Sequence, residues 1–372
     1  MKILHTSDLH LGKRVNEFSM IEDQIYILSQ IHDICINENI EVLIIAGDIY
    51  DKSIPPIEAI NLFNDFLNKI NKLNITVLCI SGNHDSNERL NFASKLLQTN
   101  NIYIISEFEN ELKKISIKDI DFYLLPFVKY TYLNHLLDQS FTNYQEAIEF
   151  ILEKTNIDSN RKNILISHQF VSVNNNTPEL SDSETKTIGG LDSIDYRVFN
   201  KFDYVALGHI HKPQAMGNKK IRYSGSILKY SFSEVKIQKS VCIIDSNNMN
   251  ISLVTLKPLH DMLSFEASLN EILTKETLLK FPADNYYQII LNDNEEIIDA
   301  ISKVRTVYPN IMQLNFKKRM NNLNKEFNIN ENDIINHTPL QLFSDFFQLQ
   351  NNSDLNDSQV KLLEEIIKEE YK

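Results

Sequence analysis

Five short apolar runs in this chain each lead into a motif of Gly, Asp, Asn and His. That repeated pairing restricts the fold more than any other feature of the sequence. The runs are Lys2 to Thr6, Val42 to Ala46, Thr76 to Ile80, Asn163 to Ser167 and Tyr204 to Leu207. Their length and their content of Val and Ile read as buried strands. They lead into Asp8-Leu9-His10, Gly47-Asp48, Gly82-Asn83-His84-Asp85, Ser167-His168 and Gly208-His209-Ile210-His211. Between the first two runs, Ile21, Ile25, Leu28, Ile31 and Cys35 recur at helical spacing. After Pro55-Pro56, the residues Ile60, Phe63, Leu67 and Ile70 do the same. Strands joined by crossover helices form an α/β sheet, and side chains just past the carboxyl ends of its strands converge on one crevice.

The rest of the chain bounds this domain. Periodicity turns toward two in Ile221 to Ser224 and Ser240 to Asp245, as expected for the second sheet of a sandwich. Lys257-Pro258 marks a boundary. The expectation is a main domain over 1–256, a small mixed module over 257–319, and two helical segments over 320–372 separated by the polar stretch Asn351 to Ser358. In that tail Leu340, Phe343, Phe346, Phe347 and Leu349 share one helical face, and Val360, Leu362, Leu363, Ile366, Ile367 and Tyr371 another. Two short helices cannot bury so many large apolar groups against each other, so they either pack back on the main domain or dock on another chain.

Nothing suggests export or membrane insertion. The N-terminus enters a strand at once, without a signal-like apolar stretch, and runs such as Val42 to Ala46 are too short to cross a bilayer. Cys35, Cys79 and Cys242 lack metal or disulfide spacing and read as reduced core thiols of a cytoplasmic protein. The net charge of −13 speaks against a nucleic-acid partner at first sight. However, the tail from Met320 carries 4 basic against 10 acidic residues, so −6 of that charge lies outside the main domain. Bound cations would reduce the negative field further.

Five of the ten histidines sit at the strand ends. On an extended chain, residues two apart project the same way, so Asp8 with His10, and His209 with His211, can each clasp an ion. Carboxylate, amide and imidazole without thiolate suit Mn²⁺, Fe or Zn²⁺. Seven such groups (Asp8, His10, Asp48, Asn83, His168, His209 and His211) are too many for one tetrahedral ion and suit two ions sharing a carboxylate. Such a pair, about 4 Å apart, is a common clamp for in-line displacement at phosphorus.

In this order, D-x-H, G-D-x-x-D, G-N-H-D and G-H-x-H resemble the calcineurin-like metallophosphoesterases, a four-layer αββα fold. The resemblance implies a first metal on Asp8, His10, Asp48 and His211, and a second on Asp48, Asn83, His168 and His209. It also implies that His84 is a non-ligand general acid, oriented by the carboxylate of Asp51. The stretches His5 to Gly12, Ser81 to Ser86 with Arg89-Leu90, and Tyr223 to Ser226 with Tyr230 to Glu234 narrow it to the bacterial SbcD-type nuclease subunits. That resemblance covers nearly the whole chain. It implies Mn²⁺-dependent exonuclease and hairpin endonuclease activity on DNA and a capping, DNA-recognition role for the small module. An SMC-like ATPase, SbcC, would dock on the terminal helices. It further implies a homodimer, within a heterotetramer, built from helices near Ile57 to Leu73 and Glu88 to Gln98.

Lys13, Arg14 and Arg89 follow motif residues and are candidates for phosphate contacts, with local salt bridges as the alternative. The polar loop from Asn174 to Gly190 either shapes a substrate channel or is idle. His5, His32, His135, His260 and His337 lack motif context and default to structural roles. A phosphatase or small-molecule phosphodiesterase is the alternative activity. A non-catalytic scaffold would have lost ligands, and none is missing.

Overall fold

The structure, a computed structural model, describes residues 1–174, 176–184, 193–293, 297–317, 338–351 and 355–370. It forms two compact units, Met1–Met262 and Leu263–Lys372.

The first unit contains two six-stranded sheets. One runs in the order Asn250–Thr255, Ser240–Asp245, Lys2–Thr6, Val42–Ala46, Thr76–Ile80, Ile102–Ile105. Its last four strands are parallel, with Leu4 beside Leu43, Leu43 beside Val77 and Val77 beside Ile102. The other runs Gln214–Ala215, Ile221–Tyr223, Tyr204–Gly208, Lys162–His168, Ile120–Leu125, Lys113–Ile117. The five motif-bearing strands are therefore shared, three in one sheet and two in the other. Ser240–Asp245 does not join the second sheet as its periodicity suggested. It pairs antiparallel with Lys2–Thr6, Cys242 beside His5, because the alternation of a strand does not say which sheet it joins.

The inner faces of the sheets meet in a core of Ile3, Ile44, Ala46, Leu78 and Ile80 against Phe122, Leu124, Ile164, Ile166 and Ala206. Strand alternation sends Leu4, Leu43, Ile45 and Val77 to the outer face of the first sheet. They are fully buried there, consistent with cover by the helices Ile21–Asn37 and Ile57–Asn71, whose apolar stripes include Ile27, Ile31, Phe63 and Ile70. The helix Tyr144–Lys154 packs Ile148, Ile151 and Leu152 on the outer face of the second sheet. The result is four layers, helix, sheet, sheet, helix, with the strand-end motifs of both sheets at one edge.

The second unit has a three-stranded sheet, Met262–Ala267, Tyr286–Leu291 and Ile311–Phe316, over a core of Phe265, Tyr287, Ile289, Val304 and Tyr308. Helices Pro339–Asn351 and Asp357–Glu370 follow and touch each other. Phe343, Leu362 and Ile366 are exposed on them. His337, Arg319, Tyr371 and the side chains of Phe346 and Leu349 lie outside the described residues. The expected helix over Glu88 to Gln98 is two short ones, Asn87–Asn91 and Ser94–Leu97, broken where Ala93 takes a left-handed φ of 60°.

Candidate metal centre

The strand ends bring the sequence-selected groups together by unusual backbone. Asp8, His10, Asp48 and His209 all take positive φ, at 51°, 44°, 51° and 102°. Such conformations cost energy and persist where surrounding bonds enforce them. Here Asp8 N–H donates to the Gly47 carbonyl at 3.0 Å and His10 N–H to the Asp48 carbonyl at 3.0 Å. The third enforcing element is a missing Cβ. One built on Gly208 would lie 1.9 Å from the Ala46 carbonyl oxygen and 2.7 Å from His168 Nδ1.

Two groups of side chains result. In one, Asp8, His10 and His211 converge, with His10 Nε2 and His211 Nε2 3.0 Å apart. Asp8 is fixed by Ser7 Oγ, which donates to its Oδ2 at 2.5 Å, and by the His209 N–H at 3.0 Å. In the other, Asn83 Oδ1 lies 3.0 Å from His168 Nε2 and 2.8 Å from His209 Nδ1. His168 Nδ1 donates to the Ala46 carbonyl at 2.8 Å, which turns Nε2 toward the cluster. Asp48 stands between the groups. Its Oδ2 is 3.6 Å from His10 Nε2 and 3.4 Å from His168 Nε2. Asn83 is exposed, so the cluster opens to solvent there.

His84 is placed otherwise than the resemblance implied. Its Nδ1 meets the main-chain carbonyl of Asp51 at 2.8 Å. The Asp51 carboxylate instead pairs with Lys13 Nζ at 2.6 Å and lies 3.6 Å from His10 Nδ1. The expected carboxylate–imidazole pair is thus a carbonyl–imidazole pair, because the carboxylate is taken by a lysine that is itself largely buried. The His84 N–H donates to Asp48 Oδ1 at 2.9 Å. Arg14 bonds the Glu17 carbonyl in a local hairpin, and Arg89 is exposed on the short helix after His84. These two placements leave the histidine cluster without a bond to either arginine among the described residues.

Several residues around the cluster carried no role in the sequence. The carboxylate of Asp85 accepts the N–H groups of Ile49, Tyr50 and Gly82 at 3.1, 2.9 and 2.9 Å and so ties the Asp48 loop to the Asn83 loop. Gln24 and Tyr230 hold the carbonyls of His10 and Leu9 at 2.8 and 2.6 Å. Ser183 and Glu184, in the described part of the 174–190 loop, contact His211. Asp85 lay within a motif and could have been found. The others come together only through tertiary packing.

Burial shapes the charges. It raises Asp8 above the ordinary carboxylate value, and with the charge of Asp48 it raises Asp85 to about 6. Burial works against an ionised Asp48 too, but the histidines around it, His168 foremost, hold it well below the usual range. Burial opposes a charge on His168, yet Asp48 raises it to about 9. Burial drives His10 well down and His209 to about 3, leaving both as neutral donors of a lone pair. The centre thus holds an ionised carboxylate, converging imidazoles and a buried His10 Nδ1 without a hydrogen-bond partner. This donor set fits divalent cations, which would supply the positive charge that buried carboxylates need.

A family model described as calcineurin-like phosphoesterase matches residues 1–213, which include every strand-end motif. The SbcD component of the SbcCD nuclease from Staphylococcus epidermidis is 39% identical over 322 residues, which is 84% of this chain and 85% of that protein. The chain belongs to the SbcD-type calcineurin-like phosphoesterases. Residues 258–351 match a second family model, described as type 5 capsule protein repressor C-terminal domain. Membership in the family makes this a hydrolase of phosphate esters whose site is dinuclear. Among solved structures, an archaeal phosphodiesterase shares 14% identity at a TM-score of 0.35, over 69% of this chain and all of that one. A dimetal phosphatase from Danio rerio shares 12% at 0.40, over 69% and 99%. Neither likeness is close enough to carry an argument.

Proposed function

We propose that the chain is the nuclease subunit of a DNA end-processing complex. It would hydrolyse phosphodiester bonds with two divalent ions, Mn²⁺ by preference, in the cytoplasm and together with an SMC-like ATPase, SbcC. The observation that carries this reading is the position of Asp48, one carboxylate oxygen facing a histidine of each group at 3.6 and 3.4 Å. Asp8, His10, Asp48 and His211 would hold one ion, and Asp48, Asn83, His168 and His209 the other. When bound, the ions supply neutralisation of the phosphate and an acidified attacking water.

The chain's own residues do the rest. With Nδ1 bonded to the Asp51 carbonyl, His84 presents Nε2 outward, and protonated there it hands a proton to the leaving oxygen. Lys13, held by Asp51 beside His10, adds a fixed positive charge next to the scissile phosphate. Arg14 and Arg89 would reach DNA phosphates further along the strand.

The fold leaves surfaces for assembly. Ile54, Ile57, Phe92 and Leu96 are exposed, which supports a homodimer through the two helical segments near Ile57 and Glu88, in a heterotetramer with the ATPase. Phe343, Leu362 and Ile366 support docking of the terminal helices on the ATPase, and the small unit before them would cap DNA. The test is incubation of the purified chain, with and without the ATPase, on end-labelled duplex DNA in Mn²⁺. Release of nucleotides supports the reading. Cleavage of a small phosphodiester with no action on DNA under either condition would favour the small-molecule alternative.

A further inference from the structure

His211 is gripped on three sides by residues that are not candidate ligands. Its Nδ1 lies 2.7 Å from Ser183 Oγ. Its N–H donates to the Glu184 carboxylate. Its carbonyl accepts from Lys239 Nζ at 2.8 Å and from the Ser226 N–H at 3.1 Å. These residues form one network. Ser183 Oγ lies 2.8 Å from Glu234 Oε1, and Glu234 Oε2 is paired with Lys239 Nζ at 2.5 Å. Glu234 is fully buried and Lys239 is 5% exposed. Ser183 Oγ also lies 2.8 Å from Ser181 Oγ, which can donate to it, and proton counting fixes the direction of its bonds to Glu234 and His211. Glu234, paired with an ammonium, only accepts, so the single hydroxyl proton of Ser183 goes to Glu234. Ser183 can therefore only accept from His211, which puts the imidazole proton on Nδ1 and the lone pair on Nε2. That Nε2 faces His10 Nε2 at 3.0 Å, inside the group of Asp8, His10 and His211.

We propose that Ser183, backed by the Glu234–Lys239 pair, is the positioning residue that sets the tautomer and aim of His211, so that the Ser181–Glu184 stretch completes one of the two cation positions. This rests on the metal reading above and adds to it a contribution from the polar loop that follows His168. A hydrogen bond to the distal nitrogen of a ligating histidine typically sustains about 10–100-fold of metal affinity. The stretch is also tied down independently of His211. The Asp182 N–H donates to Ser233 Oγ at 2.9 Å.

The test uses full-length protein and two readouts, with Ser183→Ala as the variant and Ser183→Thr, which keeps the hydroxyl, as its control. Ser183 is only partly buried, so the alanine variant is expected to fold. In the metal-free protein, ¹⁵N chemical shifts of the histidine ring nitrogens should show His211 protonated on Nδ1. Ser183→Ala should lose that preference and Ser183→Thr keep it. In Mn²⁺ titrations, Ser183→Ala should lower the affinity of one of two sites about 10–100-fold, with Ser183→Thr near wild type. An unchanged His211 tautomer in Ser183→Ala overturns the proposal, as does unchanged Mn²⁺ affinity in a chain that binds two ions. Should the wild type bind no Mn²⁺, the metal reading fails, while a Ser183-dependent tautomer still upholds the positioning role.

Discussion

The Nε2 atoms of His10 and His211 face each other at 3.0 Å, although the two residues stand 201 positions apart in the chain. His10 follows a strand of the first sheet and His211 a strand of the second. Two neutral imidazoles cannot both point lone pairs at that distance without a proton or a cation between them. The sandwich therefore assembles the site, and neither sheet alone contains it.

His84→Gln should separate chemistry from metal binding. His84 lies within reach of His10 and Asp48, close enough to be a ligand by distance alone. If it is the acid, metal content stays at the wild-type level while turnover falls about 10²–10⁴-fold. Elemental analysis beside an assay on a small phosphodiester decides it, and loss of metal in the variant would make His84 a ligand.

Asp51→Asn and Lys13→Met should be non-additive. The Asp51 carboxylate holds Lys13 at 2.6 Å, whereas His84 is held by the Asp51 carbonyl, which the substitution leaves in place. Asp51→Asn is therefore expected to cost less turnover than His84→Gln, and little more once Lys13 is gone. A double-mutant cycle on kcat/KM with independent effects would sink this.

Gly208→Ala should damage the site through sterics alone. The added methyl would meet the Ala46 oxygen at 1.9 Å, the same oxygen that accepts from His168 Nδ1. Overpacking of this kind costs about 1–3 kcal/mol. A lowered Tm together with weaker Mn²⁺ binding is expected, and an unchanged Tm would mean that the two strand ends are not this close.

Acid should destabilise the metal-free chain partly through His5. This fully buried ring, 2.9 Å from the Tyr204 hydroxyl, is pushed by burial from 6.5 to about 3. The folded state thus keeps His5 neutral where the unfolded chain would protonate it. Its contribution is constant above pH 6.5 and is lost as pH falls toward 3. At about 1.4 kcal/mol per unit this amounts to a few kcal/mol. Denaturant titrations at about pH 7 and pH 5, on either side of the ordinary imidazole value, should show a smaller loss for His5→Gln than for wild type, and equal losses would contradict the assignment.

What the sequence disclosed and what it withheld follow from where each piece of information lies. The strand ends were legible because Asp8, Asp48, Asn83, His168 and His209 are side-chain chemistry placed beside a strand, a local pattern. The sheet joined by Ser240–Asp245 was not legible, since both faces and both sheets offer the same two-residue period. The bond from His84 to the Asp51 carbonyl was hidden because a main-chain group leaves no mark on residue identity. The grip of Ser183 and Glu234 on His211 was hidden because it joins three separate loops.

The position of Asp48 between the two groups is tested most directly by counting metal in Asp48→Ala. Equilibrium dialysis against Mn²⁺, followed by elemental analysis, should find two ions per wild-type chain and fewer than one per variant chain, with hydrolysis lost in parallel and the fold intact by circular dichroism. A folded Asp48→Ala chain that still holds two ions would show that this carboxylate does not join the two positions.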